Sequence, residues 1–106
     1  MFSQNTKLRE VYGVIGLYLW TNNVGRSLFG GCTKLQRVRI YGLGTNISFE
    51  NSPDLTPESV AWMIEKCRAN KTFTIKLHAT AYAAAMADSS VTSALSSHTN
   101  VTLASA

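Results

Sequence analysis

The chain reads as an α/β fold of short parallel strands joined by helical crossovers, and three observations carry that reading. First, Thr6-Lys7-Leu8-Arg9-Glu10-Val11 recurs as Thr33-Lys34-Leu35-Gln36-Arg37-Val38, an offset of 27 residues from Thr6 to Thr33. Each copy runs on into a Tyr-Gly pair, Tyr12-Gly13 and Tyr41-Gly42, with a short insertion in the second copy. Second, apolar and polar residues alternate strictly around Val38 and Ile40 and again through Phe73, Ile75 and Leu77. A period of two is that of a strand with one buried and one wet face. Third, strands and helical stretches alternate along the chain from Leu35 onward, and strand–helix–strand order predicts parallel pairing through right-handed crossovers.

Taken in order, Leu8 to Val11 forms the first strand, and Leu17 to Trp20 a second, shorter one matched later by Asn46 to Phe49. Asn22 to Gly25 supplies a turn. Arg26 to Phe29 forms a compact helical crossover, stopped by Gly30-Gly31 ahead of Cys32, as glycine commonly ends a helix. The next strand buries Leu35, Val38 and Ile40 and sets Arg37 and Arg39 between them. Asn51-Ser52-Pro53-Asp54 is rich in turn formers and divides the chain.

A helix start follows: Thr56 as N-cap, Pro57 at the first helical position, and Glu58 at the positive end of the dipole. Val60, Met63, Ile64 and Cys67 share its apolar face, Trp62 points away from it, and the helix runs to about Asn70. The strand Phe73 to Leu77 comes next, then an alanine helix over Ala79 to Ala87 and a further short helix capped by Ser90 through Ser97. Val101 and Leu103 close the chain on one face of a last strand.

A helical turn feeding a short strand, with Cys32 and Leu35 at this spacing and Cys32 where a small residue is buried, resembles one unit of the BspA-type leucine-rich repeat family. Residues 55–106 also resemble the C-terminal segments on repeat proteins of gut anaerobes and their prophages. The resemblance implies a short right-handed solenoid with parallel strands: leucine-rich-repeat-like units over residues 1–50 and an α/β capping segment of the same domain over residues 51–106. It also implies a cell-surface or extracellular setting and a non-enzymatic role in protein binding or surface attachment. The alternative is a structural subunit of a phage particle or surface assembly.

Composition narrows the function classes. With 106 residues, 45% hydrophobic and 15% charged, the chain supports one modest core. The net charge of +4 belongs to residues 1–50, where Lys7, Arg9, Arg26, Lys34, Arg37 and Arg39 face Glu10 and Glu50; the rest balances, and Asp88 is the last charged side chain. Despite a pI near 9.3, no helix carries a basic stripe, so a nucleic-acid partner is not expected. No apolar run reaches the roughly 20 residues of a membrane span, and the glycines and aromatics of residues 11–20 do not suit a signal peptide. Two cysteines, Cys32 and Cys67, read as buried thiols rather than a disulfide framework or a metal cluster.

Catalysis finds no constellation. His78 and His98 stand singly, Glu58 and Glu65 suit a solvated helix face, and the serines of 89–97 lack a nucleophile elbow. Gly42-Leu43-Gly44 lacks the strand-to-helix setting of a dinucleotide loop. No enzyme activity, metal or cofactor is therefore expected. Three Asn-x-Ser/Thr tripeptides, at Asn46, Asn70 and Asn100, matter only on a eukaryotic secretory route.

What remains is a polar row. In register, the outward residues of successive strands are Glu10 and Tyr12, then Arg37 and Arg39, then Thr74, Lys76 and His78. Glu10, Tyr12, Arg37, Arg39 and Lys76 are the candidate ligand-binding residues, on the concave face where repeat proteins commonly bind partners. The planar forks of the arginines suit carboxylate, sulfate or phosphate, and the expected partner is a protein or an acidic glycan. The plainer alternative is a solvated face in which Glu10 pairs with Arg37 and Tyr12 stacks under Arg39. The first strand is covered either by Met1 to Asn5 with the Gly-rich segment or by another chain, and Trp62 either by the alanine helix or by another subunit; these are the two candidate surfaces for homo-oligomer formation.

Overall fold

The structure is a computed structural model; it describes residues 7, 9–15, 31–44 and 46–106, and over 11–15 it describes the backbone. The expected Leu17–Trp20 strand, the Asn22–Gly25 turn, the Arg26–Phe29 crossover, the Leu8 rung and the Tyr12 side chain lie outside the described residues.

The fold is mixed α/β, with strands β1 (Glu10–Ile15), β2 (Arg37–Tyr41), β3 (Ile47–Phe49), β4 (Phe73–Leu77) and β5 (Val101–Ser105) and helices α1 (Pro57–Glu65), α2 (Ala79–Met86) and α3 (Ser89–Ser97). The strands form a two-stranded sheet, β1-β2, and a three-stranded sheet, β3-β4-β5. All pairings are parallel.

The internal repeat fixes the first pairing. Glu10 lies beside Arg37, Val11 beside Val38 and Tyr12 beside Arg39, an offset of 27 from Glu10 to Arg37. The register then slips by one at Gly13, so that Val14 meets Ile40 and Ile15 meets Tyr41. The irregularity thus sits in the first copy rather than the second, and Tyr12 and Tyr41 are not equivalent positions. In the second sheet Ile47 pairs with Ile75 and Phe73 with Val101, offsets of 28 residues in each case.

One expectation is corrected here. Phe73, Ile75 and Leu77 do not continue the β1-β2 ladder; β4 lies between β3 and β5. The chain leaves β2 through Gly42, whose φ of 64° is the left-handed backbone that glycine adopts without a Cβ penalty, and enters β3 in the other sheet. The far edge of β2 is meanwhile taken by α1, which runs alongside it in the same direction. Thr56 N–H donates to Gln36 C=O at 2.9 Å, Gly42 N–H to Lys66 C=O at 2.9 Å, and Arg68 N–H to Leu43 C=O at 2.9 Å. Between these points the buried Ser59 hydroxyl accepts from Val38 N–H at 3.0 Å and reaches Gln36 C=O at 3.4 Å. A helix side chain thereby answers edge groups that another strand would have answered.

Local signals decide the helix boundaries. Thr56 Oγ1 accepts from Ser59 N–H at 3.3 Å, as an N-cap should, and Pro57 opens the helix. The helix stops at Glu65, short of Asn70, because Lys66 and Arg68 bond the segment after β2. Asp88, not Ser90, caps α3, because the helix starts earlier, at Ser89; its Oδ1 accepts from Ser90 N–H at 2.8 Å, and a carboxylate suits the positive helix end. His78 leaves the outward row and caps α2, its Nδ1 accepting from Thr80 N–H at 3.0 Å.

A single apolar cluster takes residues from both sheets, including Val38, Ile40, Phe49, Ile75 and Leu77, and from the helices, including Val60, Met63, Ile64, Ala81, Ala85 and Val91. Turn 51–54 is pinned to it by the fully buried Ser52, whose hydroxyl donates to Cys32 C=O at 2.7 Å. Cys32 is fully buried as expected, whereas Cys67 is half-buried because its helix ends before it.

Candidate functional site

β2 buries Val38 and Ile40 and turns Arg37, Arg39 and Tyr41 to the outside. Because α1 lies along the edge of β2, its residues Glu58, Trp62 and Glu65, spaced at four and three on one helix face, stand beside that outward row. The two elements enclose a cleft of about 240 Å3 lined by Arg37, Arg39, Thr56, Glu58, Ser59, Ala61, Trp62 and Glu65, with Ser90 from α3.

An aromatic and cationic cluster adjoins the cleft through the lining residues Arg39 and Trp62. The Tyr41 and Trp62 rings meet edge to face, centroids 4.6 Å apart and planes at 79°. The Arg39 guanidinium lies 5.4 Å from the Trp62 ring centroid, and the Lys66 ammonium 6.0 Å from it. Both distances fall within the reach of cation–π attraction. Trp62 is thus half-buried among side chains of β2 and its own helix end, while Tyr41 stays 43% exposed.

Of the residues selected from sequence, Glu10 and Arg37 are brought together, Oε2 to Nη1 at 2.8 Å. Arg39 lies against Trp62, and Tyr12 is its strand neighbour by backbone register, with its side chain outside the described residues. Lys76 is not part of this group. It stands in the second sheet, opposite Ser48, and pairs with Glu50 at 3.4 Å beside a separate cleft of about 350 Å3 lined by Asn46, Ile47, Ser48, Glu50, Thr74 and Lys76. The polar row read from the sequence is therefore split between two sheets.

Sequence reasoning missed Tyr41, although it continues the alternation of Arg37 and Arg39 by one more step. It also missed that Glu58 and Glu65 share a cleft with those arginines. Two arginines and two glutamates offer no excess of either charge there, so the cleft is amphipathic rather than an anion trap.

Burial pushes the thiols of Cys32 and Cys67 above the ordinary thiol value, and at Cys67 a hydrogen bond from Asn100 works against that rise. A thiol held protonated is a poor nucleophile and metal ligand. Among the described residues no group of three His, Cys, Asp or Glu side chains stands close enough to hold a metal ion, and no helix is long and apolar enough to cross a membrane. Compared with protein-family models, curated proteins and solved structures, the chain matches none.

Proposed function

We propose that this chain is a non-enzymatic protein-binding module that grips an extended or helical segment of its partner in the cleft between α1 and β2. The observation that carries this reading is the cluster in which Arg39 and Trp62 line the cleft and Tyr41 packs against Trp62 beside it. Arginine, tyrosine and tryptophan are the residue types that dominate binding energy at protein interfaces, because each offers a large rigid contact with a polar handle. The mixed charge of the lining favours a polypeptide over an acidic glycan. Strand offsets of 27 and 28 residues support reading the fold as a short leucine-rich-repeat-like solenoid, in which the outward row of β2 belongs to the binding side.

The test uses peptides selected from a random displayed library against the folded chain. Trp62→Ala and Arg39→Ala are expected to weaken binding of the selected peptides about tenfold or more, the usual loss at a hot spot, with no loss at Lys76→Ala. Peptides that bind both cleft variants as tightly as the parent chain, or a library that yields no binder, overturn the proposal.

A further inference from the structure

The second sheet ends on β5, whose one strand partner among the described residues is β4. Ladder bonds fix which way its backbone faces. Phe73 N–H donates to Asn100 C=O at 3.1 Å and Ala106 N–H to Leu77 C=O at 2.8 Å. By the alternation of a parallel ladder, residues 100, 102, 104 and 106 address β4. Leu103 and Ser105 therefore aim their N–H groups away from it, as do Val101, Leu103 and Ser105 their carbonyls; the Val101 N–H is already spent on His98 C=O at 3.1 Å.

Edges that stay single ordinarily carry lysine, proline or a bulge. β5 reads VTLAS and pairs with β4 without a register shift. Its whole neighbourhood in sequence is neutral, since no Asp, Glu, Lys or Arg follows Asp88 and the net charge of +4 is held within residues 1–50. Helix α2, which packs on β4 and β5, adds an uncharged exposed surface of Ala83, Ala84, Met86 and Ala87. Two copies approaching through β5 bring no like charges of that strand together, and Lys76 of β4, which lies beside Ala104, is paired with Glu50.

The spacing of the outward groups is also self-complementary. In an antiparallel pair centred on Leu103, each Leu103 N–H meets the carbonyl of the other copy's Leu103, and each Ser105 N–H meets the other copy's Val101 carbonyl. The outward N–H groups of Leu103 and Ser105 and the carbonyls of Val101 and Leu103 are then used, and only the Ser105 carbonyl is left to water. We propose that two copies of this chain join through β5, antiparallel across a two-fold axis, and extend β3-β4-β5 into one continuous six-stranded sheet. The occupant is a second copy because pairing with itself consumes those groups and brings no charges of β5 together.

Sedimentation of the full chain over a wide concentration range tests this. A discrete dimer is expected. Thr102→Lys sets like charges close across the axis, and Ser105→Pro deletes an outward N–H while leaving the β4 ladder intact. Each is expected to raise the dimer dissociation constant about tenfold or more. Thr72→Lys adds the same charge in the loop before β4 and leaves the dimer unchanged. Circular dichroism checks that the variants fold, and Thr102→Lys alone decides if the proline variant does not. A monomer at every concentration, a dimer indifferent to Thr102→Lys, or an open-ended polymer, which two-fold symmetry forbids, overturns the proposal.

Discussion

The two sheets solve the same problem of parallel pairing by different means. The β1-β2 pair turns charged and aromatic side chains outward and has its far edge answered by a helix through one buried serine. The β3-β4-β5 sheet buries every residue of β3 and the alternate residues of β4, and its last strand carries no charge at all. One sheet therefore meets a helix through a buried hydroxyl and turns a charged and aromatic row outward; the other ends, among the described residues, on a strand without charge. The lesson is that similar strand offsets along a chain do not imply equal roles.

The comparison predicts an ordered set of stability losses, measured by chemical denaturation. Phe49, fully buried in β3, carries the largest, since Phe49→Ala leaves a cavity in the apolar sheet and costs about 3–5 kcal/mol. A loss no larger than that of a surface change would break the contrast. Ser59→Ala strips the first sheet of its polar edge partner and leaves Val38 N–H buried without its acceptor; a cost of about 1–3 kcal/mol is expected.

A pH series gives the next effect. Burial raises the folded-state value of Cys32 above the ordinary 9.0, so the unfolded chain loses its proton first as pH rises. Its contribution is thus present in full below that ordinary value and is lost as pH climbs through the higher folded one. The alkaline fall in stability should be shallower in Cys32→Ala. Smallest of all, Glu10→Gln breaks an ion pair whose side chains are 42% exposed for Glu10 and 60% for Arg37. It is expected to cost at most about 1 kcal/mol, an amount that salt already suppresses in the parent chain.

Much of the fold could be read from residue patterns. The repeat predicted that Glu10 lies beside Arg37 and Val11 beside Val38 but not the slip at Gly13, the alternation predicted which residues of β2 face inward, and Thr56-Pro57-Glu58 predicted the start of α1. Strand periodicity, however, says which face a residue takes and nothing about which strand it neighbours. Alternation alone therefore puts Lys76 in one row with Arg37 and Arg39, although a single turn at Gly42 moves the chain into another sheet. The end of α1 was illegible for a related reason: Lys66 and Arg68 leave the helix to bond residues more than twenty positions earlier, and no local propensity records such a demand. Half of the candidate cleft was legible as the arginine row. The other half, Trp62 with Glu58 and Glu65, depends on a helix lying beside a strand, and spacing within either element cannot reveal that.

The serine that joins α1 to β2 gives one amide an unusual dependence. Protection of a strand amide against hydrogen exchange ordinarily reports the unzipping of its own ladder. At Val38 the acceptor is a helix hydroxyl, so that proton becomes exchangeable whenever α1 lifts away, even while β1 and β2 stay zipped. Since the same excursion pulls Trp62 from Arg39 and Tyr41, the exchange rate of one backbone proton would register how often the cleft comes apart.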